Sequence, residues 1–106
     1  MDMNQIMQQA KQFQQRMANL QAEMAERQIT NTVGGGMVSV TVNGKNELLA
    51  ITIDPEVLTP DDPAMLQDLI IAGVNEAMRQ AREIMQTEMQ KLTGGMNFPG
   101  LSSLFG

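Results

Sequence analysis

Apolar residues along the first quarter of the chain fall at Met3, Ile6, Ala10, Phe13, Met17, Leu20 and Met24. The steps alternate between three and four. Gln, Asn, Lys, Arg and Glu fill most of the gaps, and neither Gly nor Pro occurs before Gly34. This heptad pattern predicts one long helix from Met3 to Arg27 with a narrow apolar seam. Two readings of the seam stand side by side. It can meet a partner helix, or it can lie on the protein's own sheet.

At Gln28 the period changes to two. Ile29, Asn31 and Val33 alternate with Gln28, Thr30 and Thr32, and Val38, Val40 and Val42 alternate with Ser39 and Thr41. Both stretches read as half-buried strands, separated by Gly34-Gly35-Gly36. Asn43-Gly44 then signals a hairpin, since both residues tolerate positive φ. Leu49, Ile51 and Ile53 form the apolar face of a return strand, which Asp54-Pro55 ends.

Asp62 followed by Pro63 marks a helix start, with a side chain to cap the free N–H groups and a ring suited to the first turn. Leu66, Leu69, Ile70, Gly73, Val74, Ala77, Ala81, Ile84, Met85, Glu88 and Leu92 trace one face, mostly apolar, and Gly94-Gly95 ends the helix near Thr93. Some 30 residues make a rod of about 45 Å. The predicted fold is therefore α+β, in the order α-β-β-β-α: a three-stranded antiparallel meander flanked by two long helices. Residues 1–95 form the expected domain, and 96–106, with Pro99 and glycines, an expected flexible tail. Three strands leave exposed sheet edges, and the first helix has a spare seam. Both features predict a twofold homodimer.

Composition narrows the chemistry. The 106 residues include no Cys, His, Trp or Tyr and only three Phe. The commonest general base, the thiol nucleophile and the usual aromatic platforms for single strands are thus missing. No enzyme activity, metal or other cofactor, or small-molecule substrate is expected. No apolar run reaches the roughly 20 residues of a membrane span, so no membrane partner is expected and the cytoplasm is the expected compartment. The formal net charge of −5 opposes a uniform grip on phosphates.

Several motifs invite sharper readings. The Gly triplet lacks the Lys-Ser/Thr of a phosphate loop and leads into a strand, so a bend between strands accounts for it better. Asp61 and Asp62, with Asp54 and Glu56, lack calcium-loop spacing, and Asp62 already has a capping role. Eleven methionines fit core and seam positions better than a pliable recognition groove. On the second helix, Arg79, Arg82 and Lys91 follow an acidic start. Dipole complementarity and pairs such as Glu76–Arg79 and Arg79–Glu83 explain this arrangement. Local phosphate contact by helical basic residues is the other explanation.

The chain as a whole resembles the YbaB/EbfC family of bacterial nucleoid-associated proteins. The residues that carry the resemblance are Gly34-Gly35-Gly36-Met37-Val38, Val40-Thr41-Val42-Asn43-Gly44, Ile51-Thr52-Ile53-Asp54-Pro55, Asp61-Asp62 with Met65-Leu66, Val74-Asn75-Glu76-Ala77, and Leu92-Thr93-Gly94-Gly95. The resemblance implies a tweezer-like homodimer on a shared β layer. It also implies a place in the nucleoid and binding of double-stranded DNA that alters its conformation, in nucleoid organisation or gene regulation, without cofactor or catalysis. The family's contacts are ascribed to helical arms, which places the expected DNA-binding residues at Lys11, Arg16, Arg79, Arg82 and Lys91. A protein-interaction module that uses the seam and the methionines is the competing function.

Overall fold

The structure is a computed structural model and describes residues 2–94. The expected tail and the last residue of the expected domain lie outside the described residues. Helix α1 spans Met3–Glu26, strands β1, β2 and β3 span Gln28–Val33, Val38–Asn43 and Leu48–Ile53, and helix α2 spans Pro63–Thr93. The sheet is antiparallel in the order β1-β2-β3. Every predicted element is present.

Alternation decides the two faces of the sheet. Val38, Val40 and Val42 are fully buried, and with Ile29 they meet Ala77 and Ala81 of α2. Each valine contributes about 1.5–3 kcal/mol by leaving water. On the opposite face Thr30 pairs with Thr41 and Thr32 with Ser39 through side-chain hydroxyls 2.9 and 3.0 Å apart. The helix that covers the sheet is α2. Its buried Gly73, Ala77 and Ala81 recur every four residues, so one small-residue stripe faces the strands. A Cβ on Gly73 would stand 2.9 Å from Val40 Cγ2.

The Gly34–Gly36 link is the expected bend between strands, a turn in which all three residues have positive φ, 64°, 67° and 99°, a conformation that favours glycine. Two expectations need correction. In the β2–β3 turn the residue with positive φ is Asn46, at 68°, not Asn43 or Gly44. Finally, a register shift between Thr41 and Val42 pairs Leu48 with Val42, Ala50 with Thr41 and Ile51 with Val40. The apolar row of β3 is thus Leu48, Ile51 and Ile53, with Leu49 the extra residue of the bulge. Leu48 and Ile51 of this row, and Leu49 at the bulge, are uncovered, at 46%, 38% and 48% exposed.

Neither reading of the α1 seam describes it fully. Leu20 and Met24 are buried with Met89, against Met17, Ile84, Met85 and Leu92. The seam therefore packs on α2 over its last third only, and residues 2–12 are all exposed. The molecule is 70 Å long, well beyond the roughly 47 Å of α2 alone, because α1 runs on past the end of α2. Met24 and Met89 are core residues and Met17, Met78 and Met85 half-buried, but Met3, Met7, Met37 and Met65 are exposed. The core reading of the methionines holds for only part of the set.

Replacing Gly73 by Ala tests the close approach of helix and sheet. Helix propensity alone would raise stability by about 1 kcal/mol. Overpacking against Val40 is expected to reverse that sign and cost about 1–3 kcal/mol, read as a lower urea midpoint.

Candidate nucleic-acid interface

The candidate site begins at the joint between the sheet and α1. Asn43 is only 3% exposed, yet its amide makes four hydrogen bonds. Its Nδ2 donates to Ala25 O at 3.3 Å and Glu47 Oε1 at 2.9 Å, while Oδ1 accepts from the N–H groups of Lys45 and Glu47, both at 3.0 Å. The full donor and acceptor capacity of the group is used. Gly44 N–H donates to Met24 O at 2.8 Å and Arg27 O at 3.1 Å. The hairpin thus donates to three carbonyls at the end of α1, those of Met24, Ala25 and Arg27. A Cβ on Gly44 would lie 2.8 Å from Met24 O, so the close approach requires glycine.

This joint sets Lys45 on the rim of an open groove of 620 Å³ where α1, the β2–β3 turn and α2 meet. Met17, Leu20, Met85 and Met89 give it an apolar floor, and Lys45, Arg79, Arg82 and Glu83 bring charge to its walls. Arg79 and Arg82 are three residues apart, about 60° around the helix, so both reach the same side.

The five predicted contact residues are not one surface. Arg79 and Arg82 share the groove. Lys91 lies about 180° around α2 from Arg82 and lines a separate hollow of 310 Å³ with Arg27, Glu83 and Glu88. There Glu88 Oε1 stands 3.4 Å from Lys91 Nζ and 3.7 Å from the Arg27 guanidinium. Lys11 and Arg16, both exposed on α1, differ by about 140° in direction and line neither hollow. Lys45 is not among the predicted residues, which all lie on helices. Asn43-Gly44 does place Lys45 in a turn, but the helices that this turn faces are set by the tertiary joint.

The basic residues also differ in freedom. The expected pairs of Arg79 with Glu76 and Glu83 both form, with its Nε donating to Glu76 Oε2 at 2.9 Å. Hydrogen bonding from Arg79 holds the Glu76 carboxyl below its usual value, and Glu76 raises the already high guanidinium value further. Among the described residues Lys11, Arg16, Lys45 and Arg82 make no ion pair. Arg82 and Lys45 are therefore the uncommitted positive charges of the groove. Asp54 and Asp62, considered above as metal ligands, cap the turn at Pro55–Val57 and α2 by accepting from Glu56 N–H and Met65 N–H. Among the described residues no group of three or more acidic side chains is placed to hold a metal ion. No described helix is long and apolar enough to cross a membrane.

Comparison with known proteins follows the same lines. The model of a family described as the YbaB/EbfC DNA-binding family matches residues 1–96. A nucleoid-associated protein of Clostridium acetobutylicum is 52% identical over 100 residues, covering 94% of this chain and 89% of the relative. One from Desulfotalea psychrophila is 47% identical over 103 residues, covering 97% of each. A solved structure of an uncharacterized protein from Helicobacter pylori superposes with a TM-score of 0.78 at 27% identity, covering 87% of this chain and 97% of that one.

The Arg79 pairs yield a pH expectation. A carboxyl lowered in the folded state adds stability above its unfolded pKa, and that contribution is lost as pH falls through the folded value. The Glu76 side-chain resonance should titrate below 4.5, and Arg79→Gln should return it towards that value. An unchanged midpoint in the variant would show that the pair is not formed in solution.

Proposed function

The chain belongs to the YbaB/EbfC DNA-binding family, and from that premise we propose that it grips double-stranded DNA as a homodimer through the groove of Lys45, Arg79 and Arg82. Its role is that of a nucleoid-associated DNA-binding protein. The family and the relatives' names are those of DNA-binding, nucleoid-associated proteins and not of an enzyme.

The observation that carries the mechanism is the meeting of Lys45 and Arg82 on one groove, from distant parts of the sequence and without acidic partners among the described residues. A net charge of −5 repels a polyanion at long range, but salt screens that repulsion beyond about 10 Å. Contact is then decided by the nearest charges. Lysine and arginine at the groove meet phosphates and release their counterions, with little reading of base edges. Arg79 joins them when phosphate competes with Glu76 and Glu83. Lys91, Lys11 and Arg16 extend the contact along the arms from other sides.

Dimerisation runs through β3. This edge strand holds no charged residue and no proline from Leu48 to Ile53, so it lacks the usual devices that keep an edge from pairing. Its Leu48, Leu49 and Ile51 are exposed. A second β3, antiparallel about a twofold axis, extends the sheet to six strands and covers these side chains. Two grooves on a joined sheet then hold one duplex at two places. The DNA must follow their spacing, and its conformation changes.

Affinity for duplex DNA should fall linearly in a plot of log affinity against log salt. Lys45→Glu and Arg82→Glu should each weaken binding to all sequences, and for every phosphate left without its basic partner the slope should shrink by about 0.9. Lys91→Glu should cost less, since Glu88 already neutralises Lys91. Salt-independent binding would remove phosphate contact as the mechanism.

Ile51→Lys should convert the dimer to a monomer in sedimentation while circular dichroism keeps its helical signal. The salt slope of the monomer should drop to roughly half. An unaltered dimer would place the interface elsewhere.

A further inference from the structure

Phosphate contact leaves one part of the groove between α1, the β2–β3 turn and α2 without a role. Its floor is apolar. Met17 and Leu20 of α1 and Met85 and Met89 of α2 line it, and Met17 and Met85 are only half-buried. A duplex turns a charged backbone outward and is held by cations; methionine adds nothing to that grip. Apolar surface left open beside cations suits a ligand with both characters. Methionine suits the same task, because its unbranched, polarisable side chain adapts to uneven partners.

The two characters are ordered along the groove. Arg79 and Arg82 stand level with Ala77 and Ala81, which pack on the sheet, and Lys45 joins them from the turn. Met85 and Met89 follow on α2 and cluster with Met17 and Leu20 away from the sheet. One end is therefore cationic and the other apolar. The stretch of α2 from Arg79 to Met89 spans about 15 Å. Glu83 shares the wall but is held by Arg79, whereas Lys45 and Arg82 make no ion pair among the described residues. An open groove of 620 Å³ does not enclose a small molecule, whose sites bury most of its surface. It fits an amphipathic helix laid lengthwise with its apolar face down, and about ten helical residues match its length.

We infer that this groove takes an acidic amphipathic helix of a partner protein. Leucine-like side chains at i, i+3, i+4 and i+7 rest on the methionine floor, and carboxylates at one end face Lys45 and Arg82. The binding itself stands on the groove alone. Its consequence, that helix and duplex exclude each other, rests on the DNA reading above, since both use Lys45 and Arg82. A bound helix then keeps DNA out of this groove.

A synthetic peptide tests this on the full-length protein in the absence of DNA. The probe is a helix of about 14 residues, with Leu at those spacings and a group of Glu at one end. The chain has no Trp or Tyr, so a Trp in place of one Leu reports alone, and its emission should move to shorter wavelength on binding. Replacing the Glu group by Lys, or the Leu by Ser, should weaken binding about tenfold. In the protein, Lys45→Glu and Arg82→Glu should each weaken the probe about fivefold, and Met85→Ser about tenfold. No binding of the probe, or equal binding of its Ser version, would overturn the inference. So would wild-type affinity in Arg82→Glu, at an exposed position where folding is not at stake. Binding of anionic lipid vesicles through these residues, with none of the peptide, would assign the groove to a lipid headgroup and overturn it too. Duplex DNA added to the bound probe separates the two readings. Displacement supports both. A probe that binds but is not displaced supports the helix site and moves DNA elsewhere, whereas a salt-dependent DNA shift with no probe binding overturns the helix site alone.

Discussion

The architecture hangs on the joint that Asn43 and Gly44 make with the end of α1. Apart from the cluster around Leu20, Met24 and Met89, little else holds α1 to the body. Hydrogen bonds from Asn43 Nδ2 to Ala25 O and from Gly44 N–H to Met24 O fix where the helix leaves the sheet. A buried amide with all four of its hydrogen bonds made is directional in a way that a methionine contact is not. The direction of the arm, the position of Lys45 and the shape of the groove all follow from it.

A second constraint comes from the small-residue stripe of α2. Gly73, Ala77 and Ala81 bring the helix axis close to β1 and β2, and Val40 fills the space beneath Gly73. A helix seated so closely over two strands cannot also shield the third. The exposure of Leu48, Leu49 and Ile51 is therefore a consequence of the packing that stabilises the rest. The same long α2 passes from the sheet to α1, packing on the strands through Gly73, Ala77 and Ala81 and on α1 through Met89 while it carries Arg79 and Arg82 to the groove. One helix serves both stability and electrostatics.

The charge balance is a matter of location. An acidic total coexists with a groove whose free charges are positive, because several acidic side chains are spent locally: Asp54 and Asp62 cap a turn and a helix, and Glu76 and Glu83 hold Arg79. Pairing in turn ranks the basic residues. Those that salt bridges occupy must be released before they meet phosphate, while Lys45 and Arg82 are available at once. This ranking separates residues that net charge and helix position treat alike.

Local rules were enough for the elements. The heptad steps of α1, the alternation at Val38, Val40 and Val42, and the Asp62-Pro63 start of α2 each act within a few residues, and a single sequence displays such signals in full. The Glu76–Arg79 and Arg79–Glu83 pairs were legible for the same reason, since helix spacing alone brings them together. Tertiary structure decided what depends on contacts between distant segments. It determined that α2 and not α1 covers the sheet, that a bulge rotates Leu49 out of the β3 row, and that Lys45 shares a groove with Arg82 while Lys91 lines another hollow. A period tells a side chain which way to point from its own element; what it meets there is fixed only when the elements pack.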